Sequence, residues 1–89
     1  MKLNKINHEF VKLIPENIQD GKLYISLEYK CVVHNCCCGC KSEVVTPIDN
    51  NGWSFKEESG KITLNPSIGN FQLPCKSHYF INNNNVIWA

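Results

Sequence analysis

With 89 residues, 43% of them hydrophobic, the chain has material for one small core, at a size where apolar burial alone is marginal and a metal or cross-link is the usual supplement. A formal net charge of +1, with lysine as the basic residue at all nine positions, offers neither a basic footprint for nucleic acid nor a planar guanidinium for clamping a phosphate. No apolar run approaches the ~20 residues of a membrane-spanning helix, and the opening MKLNKINHEF lacks the apolar stretch of a signal peptide, so a reducing cytoplasm is the expected compartment.

In chain order, the pattern is that of short strands broken by turn signals, giving one β-rich domain over residues 1–89 with short antiparallel hairpins and little helix. Residues 8–20 have room for a short helical turn after Pro15, and Asp20-Gly21 makes a turn. Leu23, Ile25, Leu27 and Tyr29 recur at period two and predict a half-buried strand over 22–29. Residues 31–34 run on as a strand, and residues 43–48 form another that Pro47 weakens or ends. After a turn at 49–52 comes a strand from Trp53 to Glu57, then a turn at Ser59-Gly60 and the second arm of a hairpin over 61–64. Residues 65–70 lie between strands, an irregular stretch follows to Pro74, and a terminal hairpin pairs 77–81 with 86–88 across the polar tip Asn82–Asn85. Trp53 and Trp88 are expected in the core.

The cysteines carry the first chemical signal. Four of the six fall in Cys36-Cys37-Cys38-Gly39-Cys40, and Cys75 follows far down the chain with His78 three residues after it. Disulfide frameworks space their cysteines out, because close neighbours bridge poorly and staple nothing distant. Thiolates crowded this way suit a single metal ion, and a structural zinc is the expected occupant. In an extended strand Cys36 and Cys40 would stand roughly 13 Å apart. Two sulfurs on one zinc lie only about 4 Å apart, so the segment must curl, with Gly39 free to take a positive φ. Alternation then turns Cys36, Cys38 and Cys40 inward to join Cys75, with His34 or His78 as substitutes. Cys31 and Cys37 are left as spare thiols.

The second signal is a serine held between proline and glycine. In Asn65-Pro66-Ser67-Ile68-Gly69-Asn70 the bend can expose the Ser67 hydroxyl and turn backbone amides toward a ligand, as a serine nucleophile and its oxyanion require. His78, eleven residues on, is the natural general base. Ser77 competes as nucleophile, but adjacent strand residues point to opposite faces, which favours Ser67 as the partner of His78. The plainer alternative has Ser67 capping a turn and His78 binding zinc or filling the core.

Taken together, these segments resemble a family of small Cys-rich bacterial proteins, some of them encoded beside ubiquitin-like proteins and E1- and E2-like enzymes in Bub-type operons. The resemblance runs through His8, Phe10, Ile14-Pro15 and Gly21-x-Leu23-Tyr24-Ile25-Ser26. It continues through His34-x-Cys36-x-Cys38-Gly39-Cys40 and Pro66-Ser67-Ile68-Gly69-Asn70, and ends with Cys75-x-Ser77-His78-Tyr79-x-Ile81 and Trp88. The family usually has glycine where Lys41 stands and proline or a small residue at Cys37. The resemblance implies a metal-binding serine peptidase that trims or releases a ubiquitin-like protein. On this chain it implies Ser67 as nucleophile, His78 as base, and backbone N–H groups near Ile68 and Gly69 for the oxyanion. His34 or Asn70 would orient His78.

Three readings follow. One is a zinc-stabilised serine peptidase acting on a ubiquitin-like protein, with no role for nucleic acid or membrane. Another is a non-catalytic zinc module that binds a ubiquitin-like or E2-like partner. The last is a zinc-dependent hydrolase in which His34 and His78 replace two thiolates and leave a position for water.

Overall fold

The computed structural model describes residues 2–71 and 73–89, which form eight strands. The first four, β1 (Asn7–Phe10), β2 (Lys22–Ser26), β3 (Cys31–Asn35) and β4 (Glu43–Pro47), make one sheet in the order β1-β2-β3-β4. The others, β5 (Ser54–Glu58), β6 (Lys61–Gly69), β7 (His78–Asn82) and β8 (Asn85–Trp88), make a second sheet in sequence order. All pairings between neighbours are antiparallel except β1 with β2, which is parallel. No helix lies among the described residues, so none is long and apolar enough to cross a membrane.

One buried cluster draws on both sheets and holds them face to face. Leu23, Ile25, Val32 and Val44 come from the first, and Ile62, Leu64, Ile68, Tyr79, Ile81 and Val86 from the second. β4 shows the simplest logic: Val44 and Thr46 point in while Val45 stays exposed, and the buried Thr46 hydroxyl donates to Val32 O at 2.9 Å. β2 is buried on both faces. The irregular segment before it lies across its outer side, where Ser26 Oγ donates to Lys12 O at 3.1 Å and Gln19 N donates to the Tyr24 hydroxyl at 3.1 Å.

Three local expectations are corrected. The helical turn after Pro15 is absent, since residues 11–19 serve as that irregular cover. Leu27 and Tyr29 do not extend β2. The chain turns after Ser26, whose side-chain oxygen accepts from Tyr29 N at 3.2 Å, and both large side chains are exposed. Residues 65–69, expected between strands, belong to β6. The register against β7 shifts between Leu64 and Ile68, around a cis Asn65–Pro66 bond, and resumes with Ile68 opposite Tyr79 and Gly69 opposite His78. Pro66 has no N–H for the ladder, and Ser67 follows it inside this interruption.

The two connections that matter most lie at one end of the sheets. Residues 36–42 join β3 to β4, and residues 70–77 join β6 to β7. The first carries Cys36, Cys38 and Cys40, the second Cys75.

Candidate active site and metal centre

The β3–β4 connection curls as the cysteine spacing requires. Cys36 N donates to Ser42 O at 2.8 Å, Gly39 N donates to Cys36 O at 3.2 Å, and Gly39 adopts φ 93°. The sulfurs of Cys36, Cys38, Cys40 and Cys75 then lie within 4.8 Å of one another, with Cys36–Cys38 at 3.5 Å, Cys36–Cys75 at 3.8 Å and Cys40–Cys75 at 3.7 Å. A tetrahedral ion with metal–sulfur bonds of about 2.3 Å would set its thiolates about 3.8 Å apart, so the four fit one metal ion. Hydrogen bonds from the Ser42 side chain and backbone pull the Cys40 thiol down to about 6, which favours the thiolate a metal needs. Ser77 shifts Cys75 in the same direction.

The remaining cysteines stay out of this group. Cys37 is fully buried in the core, where burial pushes its thiol up to about 12. Cys31 lies at the start of β3, opposite Pro47. Neither histidine joins the sulfurs. His34 is fully buried and pairs through Nε2 with the Tyr79 hydroxyl at 2.8 Å, and burial holds it neutral by lowering it to about 4. His34 therefore neither replaces a thiolate nor orients His78.

Asn70 also does something other than expected. Its side-chain amide turns inward, donating to Ser77 Oγ at 3.0 Å and lying 3.5 Å from both Cys36 Sγ and the Tyr79 hydroxyl. Ser77 Oγ is in turn 3.0 Å from Cys36 Sγ and 3.5 Å from Cys75 Sγ. Ser77 is thus a buried neighbour of the thiols and is withdrawn from any role as a rival nucleophile.

Ser67 and His78 meet on the opposite, outer face of the second sheet. Ser67 Oγ lies 2.8 Å from His78 Nε2, and both side chains are partly exposed. This is the separation a nucleophile and its base need. Among the described residues no hydrogen bond reaches His78 Nδ1. The ring is instead flanked by Phe71, edge-on at 5.4 Å between centroids, and Phe80 at 5.9 Å. Phe71, Phe80 and Ile87 (the cross-strand neighbour of Phe80) leave an exposed apolar surface beside the pair.

Gly69 makes room for this arrangement, because a Cβ there would come within 2.7 Å of the Phe71 ring. The two backbone donors expected to serve an oxyanion are not equivalent. Asn70 N donates to Ser77 O at 2.8 Å, and antiparallel alternation then directs Ile68 N–H at Tyr79 and Gly69 N–H away from β7. Ile68 N–H is committed to the ladder, whereas Gly69 N–H faces the side of a cavity of about 100 Å³ lined by Trp53, Ile68, Gly69, Leu73 and residues of β4. The sequence reading missed Tyr79, Phe71 and Phe80. The period-two alternation of β7, which sets His78 and Phe80 on one face and Tyr79 on the other, carried that information.

No curated protein and no solved structure matches the chain. A family model does: the one described as Bacterial ubiquitination-like system serine protease (BubE) matches residues 10–89, and the chain belongs to that family.

Proposed function

We propose that the chain is a serine peptidase that releases a bacterial ubiquitin-like protein from a precursor or conjugate, with Ser67 as nucleophile and His78 as general base. The observation that carries this reading is the 2.8 Å contact between Ser67 Oγ and His78 Nε2 on an accessible face. In this reading neutral His78 accepts the Ser67 proton at Nε2 while Oγ bonds to the scissile carbonyl carbon. Protonated His78 then gives that proton to the leaving group as its bond to the carbonyl carbon breaks, and the acyl ester on Ser67 remains. Water, deprotonated by His78, attacks the ester, and the proton returns to Ser67 as the acid product leaves. Gly69 N–H is the backbone donor we assign to the developing oxyanion, and Phe71 and Phe80 hold the imidazole in place of a hydrogen-bonded carboxylate.

Cys36, Cys38, Cys40 and Cys75 would hold a structural zinc, which supplies a cross-link and, with four thiolates, keeps no position for a reacting water. A zinc-thiolate set suits a reducing compartment such as the cytoplasm. The hydrolase reading with His34 and His78 as ligands loses its support, because those side chains engage Tyr79 and Ser67. A non-catalytic module that binds a ubiquitin-like partner draws on the exposed Phe71, Phe80 and Ile87. One experiment separates it from the peptidase: incubation with a ubiquitin-like precursor extended beyond its mature C-terminus, read by mass spectrometry. The peptidase trims the precursor, Ser67→Ala protein with unchanged metal content does not, and His78→Ala protein trims it far more slowly. Binding without trimming by the unaltered protein would favour the module.

A further inference from the structure

The metal site and the Ser67–His78 pair lie on opposite faces of the same strand ends, and the residues that connect them are Asn70 and Ser77. Asn70 follows Gly69 and Ser77 precedes His78, so they extend the last rung of the β6–β7 ladder, closed by Asn70 N donating to Ser77 O at 2.8 Å. Both are buried, at 3% and 8% exposure. Buried polar side chains need partners, and here the partners run in one direction. Asn70 Nδ2 donates to Ser77 Oγ at 3.0 Å, leaving the Ser77 hydroxyl proton for Cys36 Sγ at 3.0 Å. Asn70 Nδ2 also lies 3.5 Å from the same sulfur, and Ser77 Oγ is 3.5 Å from Cys75 Sγ. A thiolate accepts hydrogen bonds and cannot donate them. Four thiolates on a divalent cation retain a net negative charge, and donors aimed at the buried sulfur offset it.

We propose that Asn70 and Ser77 are positioning residues that bind the metal-bound thiolate of Cys36 and thereby fix the β6–β7 rung on which Ser67 and His78 face each other. The metal site then sets the geometry of the pair from the far side of the sheet. This rests on the peptidase reading for its purpose, yet neither of its measurements needs peptidase activity.

The test uses full-length, zinc-loaded protein and its Asn70→Ala, Ser77→Ala and Ser77→Thr variants. Zinc affinity is measured by competition with a chromophoric chelator, and the His78 ring nitrogens are observed by NMR at saturating zinc. Loss of either donor should weaken zinc by about 10- to 100-fold, the usual effect of removing an outer-shell partner. At saturating zinc both alanine variants should shift the His78 Nε2 resonance, since the contact with Ser67 is no longer held. Ser77→Thr keeps the hydroxyl and should restore affinity and resonance together. Should an alanine variant fail to fold, Asn70→Asp keeps the side-chain shape, replaces the donor with an acceptor and should weaken zinc at least as much. Unchanged affinity in both alanine variants, or in Asn70→Asp where it stands in, would overturn the thiolate contact. Weakened affinity with an unmoved His78 resonance at saturating zinc would overturn the coupling. Failure of precursor trimming with both effects present would sink only the peptidase reading.

Discussion

Ser67 is set apart from the other serines of the chain by where the backbone holds it. Pro66 removes a ladder donor, the register against β7 shifts, and the hydroxyl is carried to His78 rather than left to solvent. If the two act as a unit, their effects will not add. Ser67→Ala should abolish trimming, His78→Ala should lower kcat by roughly 10²- to 10⁴-fold, and the double variant should be no worse than Ser67→Ala. The inner face has its own single-residue dependence. The Tyr79 hydroxyl meets His34 Nε2 at 2.8 Å and accepts from Cys37 N at 3.4 Å, all within the core. Tyr79→Phe leaves these groups short of a partner and should cost about 1–3 kcal/mol in denaturant unfolding, with metal stoichiometry unchanged.

Among the elements, two connections meet at the cysteine group, three of the sulfurs coming from the β3–β4 turn and the fourth from the β6–β7 turn. Cys75→Ser should therefore release the metal, whereas Cys37→Ser should keep it stoichiometric while losing about 1–3 kcal/mol of stability for a hydroxyl placed in the core. Elemental analysis and denaturant unfolding of the two variants check both halves. Much of this level was legible in sequence. Short strand segments between turn signals marked β4, β7 and β8, and the crowding of Cys36, Cys38 and Cys40 around Gly39 dictated a curl. What was hidden had physical reasons. β1, Asn7–Phe10, carries little apolar pattern because it pairs at an edge, parallel to β2, with most of its side chains exposed. The strand end at Ser26 depends on a side-chain hydrogen bond to Tyr29 N, which period-two hydrophobicity cannot express. The far half of β6 was obscured by Pro66 and Gly69, residues that usually end a strand and here shape the site. The inward turn of Asn70 is met by Ser77, Tyr79 and the distant Cys36, contacts that no local pattern can report.

For the molecule as a whole, one apolar cluster joins the sheets, and four cysteines gather at their ends. A core this small has limited reserve, so the energy of metal binding should appear directly as folding energy. Chelation should lower the midpoint of thermal unfolding or abolish the transition, followed by circular dichroism, and restored zinc should recover it. A metal-free protein with an unchanged transition would remove the metal from the account of stability. The central claim is that Ser67 is the nucleophile, and peptide mapping of a covalent adduct with an electrophilic probe tests it most directly. The zinc-loaded protein, treated with a ubiquitin-like protein carrying an electrophilic group at its C-terminus and digested for peptide mapping, should show one covalent adduct on Ser67. That adduct should vanish in Ser67→Ala and fall sharply in His78→Ala. An adduct that persists in Ser67→Ala, or that maps to a cysteine, would contradict it.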